Sequence, residues 1–337
     1  MNLQFIYVLV SSDKDYYLEE LWASVYSLRS FHPKEKVIVL ADKATTDRII
    51  QRQQLVKLLS NIITVNTPEA YSPKERSRDI KTRVRELIEG DFLFIDTDTI
   101  ITHSLADIDK IKADIAAVPD AHTSLSEHPF GDGVRNNVKR IFNEDISNSA
   151  YWFNSGVMLV RDTPIAHELY KRWNENWKYS TFEKSFSQDQ PALIKTDKEF
   201  GYIIQKLPDI YNCQLALSVK YFYEAKIVHF WHMDFIADQS YSPFMGLDVY
   251  KQIKKADGIN SDTANLIENC KSAFKTTTMI VGQQQIYFLF SPCGQIFCKL
   301  HQNSKQWAHF LDKTAIYINI IPRIKRKLRK ILYRNEK

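Results

Sequence analysis

Gly90-Asp91-Phe92-Leu93-Phe94-Ile95-Asp96-Thr97-Asp98-Thr99-Ile100-Ile101 is the stretch from which the fold can be read. Its apolar run Phe92–Ile95, rich in aromatic and branched residues, predicts a strand buried on both faces. The run ends in two aspartates separated by one residue. Like charges this close repel, and the end of a buried strand is a costly place for them. A hard divalent cation held by both carboxylates, with phosphate oxygens in its other positions, resolves the conflict. A second reading has Asp96 and Asp98 capping a turn and a following helix.

Upstream, Phe5–Val10, Val37–Leu40 and Ile62–Val65 read as further strands. Between them lies a helix carrying Leu18, Leu21, Trp22, Val25 and Leu28 on one face and stopped by His32-Pro33. A second helix is expected over Thr46–Leu59 and a third over Ile80–Ile88. Alternation of this kind as far as residue 120 predicts a mostly parallel α/β sheet with helices on both faces. Ligands of such sheets sit beyond the carboxyl ends of the strands, where Ser11–Asp15 and Asp96–Asp98 lie.

Downstream, residues 121–149 are polar and turn-rich and read as a loop or lid. Phe153–Val160 is a strand, Ala166–Trp177 a helix, and Tyr202–Leu207 and Ile227–Phe230 are strands. Beyond residue 245, Met279–Val281 and Gln285–Phe290 read as strands and Cys298–Leu311 as a helix.

The formal net charge of +5 is unevenly placed. Arg323, Lys325, Arg326, Lys327, Arg329, Lys330, Arg334 and Lys337 face Glu336 alone, so the last 16 residues carry +7 and the rest −2. A near-neutral body argues against nucleic-acid binding. Cys213, Cys270, Cys293 and Cys298 show no zinc spacing and are expected to be free buried thiols, a Cys293–Cys298 bridge being the alternative. Met1–Gln4 lacks the basic start of a signal peptide, and no apolar run approaches the ~20 residues that span a bilayer. A cytoplasmic location is the expectation.

Four features in order resemble the GT-A glycosyltransferases, most closely the retaining family 8 type, which includes bacterial lipopolysaccharide galactosyl- and glucosyltransferases and glycogenin. They are the small polar cluster Ser11–Tyr17 after the first strand, the Asp-x-Asp strand, the strand Phe153-Asn154-Ser155-Gly156-Val157, and Gln188-Asp189-Gln190. His229 completes the set. The resemblance covers roughly residues 3–235 and implies a Rossmann-like GT-A catalytic domain over 1–240. Its nucleotide-binding half would be 1–120 and its donor-sugar and acceptor half 150–240. Residues 241–315 would form an extension of uncertain role.

Carried onto this sequence, the resemblance implies that Asp96, Asp98 and His229 hold Mn²⁺ or Mg²⁺ against the diphosphate of a UDP-sugar, with His232 a competitor for the third position. It implies donor contacts from Ser12, Asp13, Tyr16, Lys81, Asp96, Thr97, Asn154 and Ser155. Tyr16 would stack on the base, and Asp15 and Tyr17 offer the neighbouring register. Lys81 stands in a charged segment with Arg78, Arg83 and Arg85, which also reads as a solvated helix face. Asp189 and Gln190 would lie beneath the anomeric carbon. An amide oxygen is a poor nucleophile, so front-face attack with both residues steadying the oxocarbenium charge is favoured, and covalent catalysis by Asp189 is the alternative.

Tyr317, Ile321, Ile324, Leu328, Ile331 and Leu332 form an apolar stripe flanked by the basic residues of the tail. A cationic amphipathic helix over 316–337, suited to an anionic inner-leaflet surface, is expected. The activity expected is metal-dependent, retaining transfer of glucose or galactose to a saccharide acceptor such as lipopolysaccharide. The alternatives are an inactive sugar-nucleotide-binding relative and a peripheral membrane scaffold.

Overall fold

Alternating side chains along the central strands demand cover on both faces. In β1 (Gln4–Leu9), Phe5, Tyr7 and Leu9 enter one core, and Ile6 and Val8 enter the other. The structure is a computed structural model that describes residues 3–231, 242–274 and 283–314. They fall into two compact units, Met1–Thr278 and Met279–Lys337.

The other strands are β2 (Val37–Ala41), β3 (Asn61–Thr64), β4 (Phe92–Ile95), β5 (Thr99–Ile101), β6 (Ile115–Pro119), β7 (Phe153–Val160), β8 (Gln205–Lys206), β9 (Cys213–Gln214) and β10 (Ile227–His229). Seven form one sheet in the order β3-β2-β1-β4-β7-β6-β8, and β7 alone runs against its neighbours. A second sheet has the order β5-β10-β9.

On one face of the large sheet, α1 (Tyr17–Phe31), α2 (Lys43–Gln51) and α3 (Gln53–Val56) bury Leu21, Trp22, Val25, Ile49 and Leu55. On the other, α4 (Pro73–Thr82), α5 (Val84–Leu87), α7 (Pro164–Lys178) and α8 (Gln190–Glu199) bury Ile80, Val84, Leu169, Trp173 and Leu193. Between α5 and α7 in the chain lies α6 (Gly131–Phe142). Burial of a Leu, Ile or Val contributes about 1.5–3 kcal/mol, so these contacts, more than helix propensity, hold the layers together. Beyond residue 240, α9 (Asp248–Ala256) and α10 (Ser261–Glu268) join the first of these cores. Phe244, Val249, Tyr250, Ile253 and Ile267 pack there, which carries the first unit to Thr278.

The expected sheet is present, but several local expectations need correction. The segment 121–149 holds α6 and is no bare loop. Pro129, Gly131 and Gly133 cluster before or within its first turn, while Val138 packs with Leu125, Ile146, Trp152 and Ile194, and Ile141 is buried. The helix expected over Thr46–Leu59 breaks at Arg52 into α2 and α3, and Asp42 caps its start by accepting from the Thr45 N–H. The helix expected from Ile80 begins earlier, at a Ser72/Glu75 capping box, and divides at Arg83 into α4 and α5. The strand expected over Tyr202–Leu207 shrinks to Gln205–Lys206.

In the second unit the strand expected at Gln285–Phe290 is a helix, α11 (Gln283–Phe290), followed by α12 (Pro292–Asn303) and a helical stretch over 305–314. A short apolar run does not distinguish strand from helix. All four cysteines are free, but Cys293 is exposed and Cys298 partly so, unlike the buried Cys213 and Cys270. Among the described residues no helix is long and apolar enough to cross a membrane. The expected strand Met279–Val281, the basic helix over 316–337 and His232 lie outside the described residues.

Candidate metal and nucleotide-sugar site

The chain leaves β4 at Asp96 and re-enters a strand, β5, at Thr99, so the Asp-x-Asp turn joins the two sheets. It caps no helix. β10 lies antiparallel to β5 with His229 opposite Thr99, and the Phe230 N–H donates to the Asp98 carbonyl at 2.9 Å. This register brings His229 onto the two aspartates. One ligand atom each from Asp96, Asp98 and His229 lies within 4.8 Å of the others, and His229 Nε2 is 3.0 Å from Asp98 Oδ1.

Antiparallel pairing of β4 with β7 sets Gly156 beside Asp96, whose N–H donates to the Gly156 carbonyl at 2.7 Å. A Cβ at Gly156 would stand 2.5 Å from His229 Cε1 and 3.0 Å from Asp96 Oδ2. Only glycine lets β7 pass this close to the cluster.

Helix α4 supplies the cations. Arg78 and Lys81, three residues apart, share one face. Lys81 Nζ lies 3.1 Å from both Asp96 oxygens and 3.6 Å from Asp189 Oδ2, with the Phe94 ring 4.9 Å below it. Arg78 Nε lies 3.2 Å from Asp189 Oδ1. Asp79 and Thr82, on the other side of α4, take hydrogen bonds from Asn174 of α7. That contact anchors the helix with its cations turned toward the aspartates.

Asp189 precedes α8 and is buried, as is Lys81. Its Oδ2 accepts from Ser155 Oγ at 2.7 Å, and its carbonyl accepts from Trp173 Nε1 at 3.0 Å. Asp120, at the carboxyl end of β6, is a second hub. Its Oδ1 accepts from Asn154 Nδ2 at 2.9 Å and Gln190 Nε2 at 3.4 Å, and its Oδ2 meets His128 Nε2 at 3.0 Å. Gln190 Nε2 also donates to the Phe153 carbonyl at 3.1 Å. The next two residues, Ala121 and His122, have φ of 55° and 59°. For residues with a Cβ this backbone is strained, and the Ala121 N–H to Gln214 Oε1 bond and the His122–Asp209 pair hold it in place.

The electrostatics separate the carboxylates. Burial pushes the Asp96 carboxyl up and the neighbouring Asp98 charge adds to this, so it stands above the ordinary aspartate range despite Lys81 and His229. Burial also opposes ionisation of Asp189, but Lys81 and Arg78 together with the Ser155 hydroxyl outweigh it and hold that carboxyl far below the usual range. Burial would lower His229, yet Asp98 and Asp96 hold the imidazole above its ordinary value.

Asp96, Asp98, His229, Lys81, Asp189 and Ser155 therefore meet in one network, and Asn154 and Gln190 meet at Asp120. Thr97, at the tip of the turn, donates to Glu20 of α1. Ser12, Asp13 and Tyr16 lie on the loop after β1, whose carboxyl end shares an edge with that of β4. There Asp15 accepts from Ser11 Oγ, the Ser12 N–H and hydroxyl, and the Tyr17 N–H, which closes the loop. Asp13 pairs with Arg48. Lys254 of α9 donates to the Asp13 and Asp15 carbonyls and stands 4.8 Å from the centre of the Tyr16 ring.

Sequence reasoning missed three members of this site. Arg78 carried a signal, its three-residue spacing from Lys81, but was hidden in a charge-rich segment. Asp120 and Asn212, whose Oδ1 lies 3.0 Å from His229 Nδ1, carried none, because an acid after a strand and an isolated amide are common surface features. The donor set of two carboxylates and one imidazole fits a divalent cation such as Mn²⁺ or Mg²⁺.

No protein-family model matches the chain, and no curated protein matches it. Solved structures that resemble it include the WbbM bifunctional glycosyltransferase in its apo form, with TM-score 0.51, 15% identity and coverage of 69% of this chain. The chain spans 46% of WbbM. Others are the galactosyltransferase LgtC in complex with donor and acceptor sugar analogues (TM-score 0.48, 14% identity, 78% of this chain and 99% of that one) and apo mouse xyloside xylosyltransferase 1 (TM-score 0.45, 12% identity, 68% and 97%). The chain has the α/β fold of the GT-A glycosyltransferases, with a mostly parallel seven-stranded sheet at its centre.

Proposed function

We propose that the chain is a metal-dependent, retaining glycosyltransferase of the family 8 type, which moves glucose or galactose from a UDP-sugar to a saccharide acceptor of a bacterial-type surface glycan such as lipopolysaccharide. The observation that carries this reading is a charge imbalance at one sheet edge. Asp96, Asp98 and Asp189 bring three carboxylates, and Lys81 and Arg78 bring two fixed cations. A divalent ion on Asp96, Asp98 and His229 turns the net −1 into +1, the sign that a departing diphosphate requires. When bound there, the ion supplies Lewis-acid stabilisation of that leaving group.

The chain's own residues do the rest. Lys81 spans the metal-side and sugar-side carboxylates and offers a cation to phosphate. The Phe153 carbonyl and Asp120 hold the Gln190 amide nitrogen, so its Oε1 is the end available to developing positive charge at the anomeric carbon. Asp189 stays ionised beside Arg78, Lys81 and Ser155 and acts through its charge. Both its oxygens are engaged, which makes it a poor nucleophile and favours front-face attack over a covalent intermediate. Asn154 and Ser155 border the donor sugar, and Ser12, Asp13, Tyr16 and Thr97 border the nucleotide. The basic residues of 316–337 would hold the enzyme on the cytoplasmic face of an anionic membrane, where lipid-linked acceptors lie.

Calorimetric titration with UDP in the presence and absence of Mn²⁺ tests the binding step, and turnover across a panel of UDP-sugars tests transfer. Metal-dependent UDP binding with hexose release supports the reading. Binding without turnover makes the chain an inactive relative, and absence of binding makes it a scaffold.

A further inference from the structure

His229 reaches the aspartates through Nε2 while its Nδ1 faces Asn212 Oδ1 at 3.0 Å. Asn212 is wholly buried, immediately before β9, which runs parallel to β10. Its Nδ2 donates to Asn154 Oδ1 at 2.9 Å, and the same oxygen accepts from the Gly156 N–H at 2.9 Å. We infer that Asn212 is a positioning residue that fixes the neutral form of His229 as the Nδ1–H tautomer and so presents the Nε2 lone pair to a cation shared with Asp96 and Asp98. This rests on the metal site proposed above.

One group in this relay cannot be reversed. A backbone N–H only donates, so the Asn154 atom facing Gly156 is its oxygen. The far end agrees, because Asn154 Nδ2 donates to the Asp120 carboxylate. Turning the Asn154 amide over would oppose two donors at Gly156 and two acceptors at Asp120. With that oxygen placed, the Asn212 atom facing it is the nitrogen. The Asn212 oxygen then faces His229, and Nδ1 carries the proton. A neutral imidazole with a proton on Nδ1 has its lone pair on Nε2, pointed at the Asp98 oxygen 3.0 Å away. Two acceptors this close require a positive centre: a proton on Nε2 while the ring is an imidazolium, and the shared cation once it is neutral. A buried amide relay anchored on one strand's backbone thus specifies which imidazole nitrogen meets the metal. Partners of this kind orient metal-bound histidines and raise their basicity.

Long-range ¹H–¹⁵N correlation spectra of ¹⁵N-histidine-labelled full chain, recorded where the ring is neutral, read the tautomer. The expected pattern is protonated Nδ1 and bare Nε2 in wild type. In Asn212→Leu this preference is lost and Mn²⁺ affinity, read by calorimetry without any sugar nucleotide, falls about 10- to 100-fold. Asn212→Asp keeps an accepting oxygen opposite Nδ1 but loses the donor to Asn154 Oδ1, so it retains the Nδ1–H tautomer and loses less Mn²⁺ affinity than Asn212→Leu. The inference is overturned by an Nε2–H ring in wild type, or by a folded Asn212→Leu that binds Mn²⁺ as tightly as wild type. If Asn212→Leu does not fold, the wild-type spectrum and Asn212→Asp decide. Wild type that takes up no Mn²⁺ sinks the metal reading, while the position of the proton still decides the relay.

Discussion

Asp189 and the Asp96–Asp98 pair occupy the same sheet edge and share Lys81, yet they are opposite electrostatic objects. Asp189 has a cation on each oxygen and a hydroxyl donor besides, and its carboxyl is held far below the ordinary range. Asp96 has Lys81 but also a neighbouring carboxylate, and it is pushed up. Asp189 finds its countercharges within the protein. Asp96 and Asp98 repel each other, and in the function proposed above an external cation answers that repulsion. Asp197, buried in α8 and held by backbone N–H groups of Ile203 and Ile204, gives a third case: burial pushes its carboxyl up to about 6.

Asp98→Asn removes one ligand and the partner of His229, so Mn²⁺-dependent UDP binding and transfer are expected to fall below detection in the assays above. Retained Mn²⁺ affinity in this variant would falsify the distinction. Lys81→Met strips a buried cation from both acids. Removing one member of a buried pair costs about 3–5 kcal/mol, measurable by urea unfolding. Because the metal-side acids accept an external cation, saturating Mn²⁺ should restore part of that loss, whereas the cost of Arg78→Gln should be the same with and without metal.

Gly156→Ala sharpens the geometry. Its Cβ would press on a ring held through both nitrogens, costing about 1–3 kcal/mol of stability and weakening Mn²⁺ binding in the same protein. Competition with protons should also follow the metal side alone. Since Asp98 and Asp96 hold His229 above its ordinary value, Mn²⁺ must displace its Nε2 proton. Affinity should then rise with pH, by about tenfold per unit for exchange of one proton, and level off once His229 is neutral. A pH-independent affinity would contradict this.

The smallest effect belongs to Asp197. Its carboxyl is raised in the folded state, so between pH ~4 and its folded value of about 6 the folded chain holds more protons than the unfolded one, and stability declines as pH rises. Asp197→Asn should lack this decline in denaturant unfolding measured across that window. Asp189 has the opposite sign. Its stability is present above the usual aspartate range and is lost as pH falls toward its depressed folded value.

Much of the architecture was legible because it is written in local patterns. The buried runs Phe5–Val10, Val37–Leu40 and Phe92–Ile95, the face of α1, and Asp96, Asp98 and Gly156 are properties of neighbouring residues, whose side-chain period follows from backbone geometry. The helix α6 was hidden by its turn-forming start. The short run at 285–290 carried no period that separates strand from helix.

Sequence alone therefore determined the α/β sheet, the edge at which acids collect, and the need for positive charge beside two adjacent aspartates. Tertiary structure decided which groups answer that need. Lys81 and Arg78 are ordinary helix charges until Asn174 of α7 anchors α4, and Asp120 is an ordinary acid until a strained turn pins it. Asn212 is one amide among many until β9 runs beside β10 and Gly156 sets the direction of its hydrogen bonds. Such roles depend on contacts between residues tens of positions apart, which no local pattern encodes.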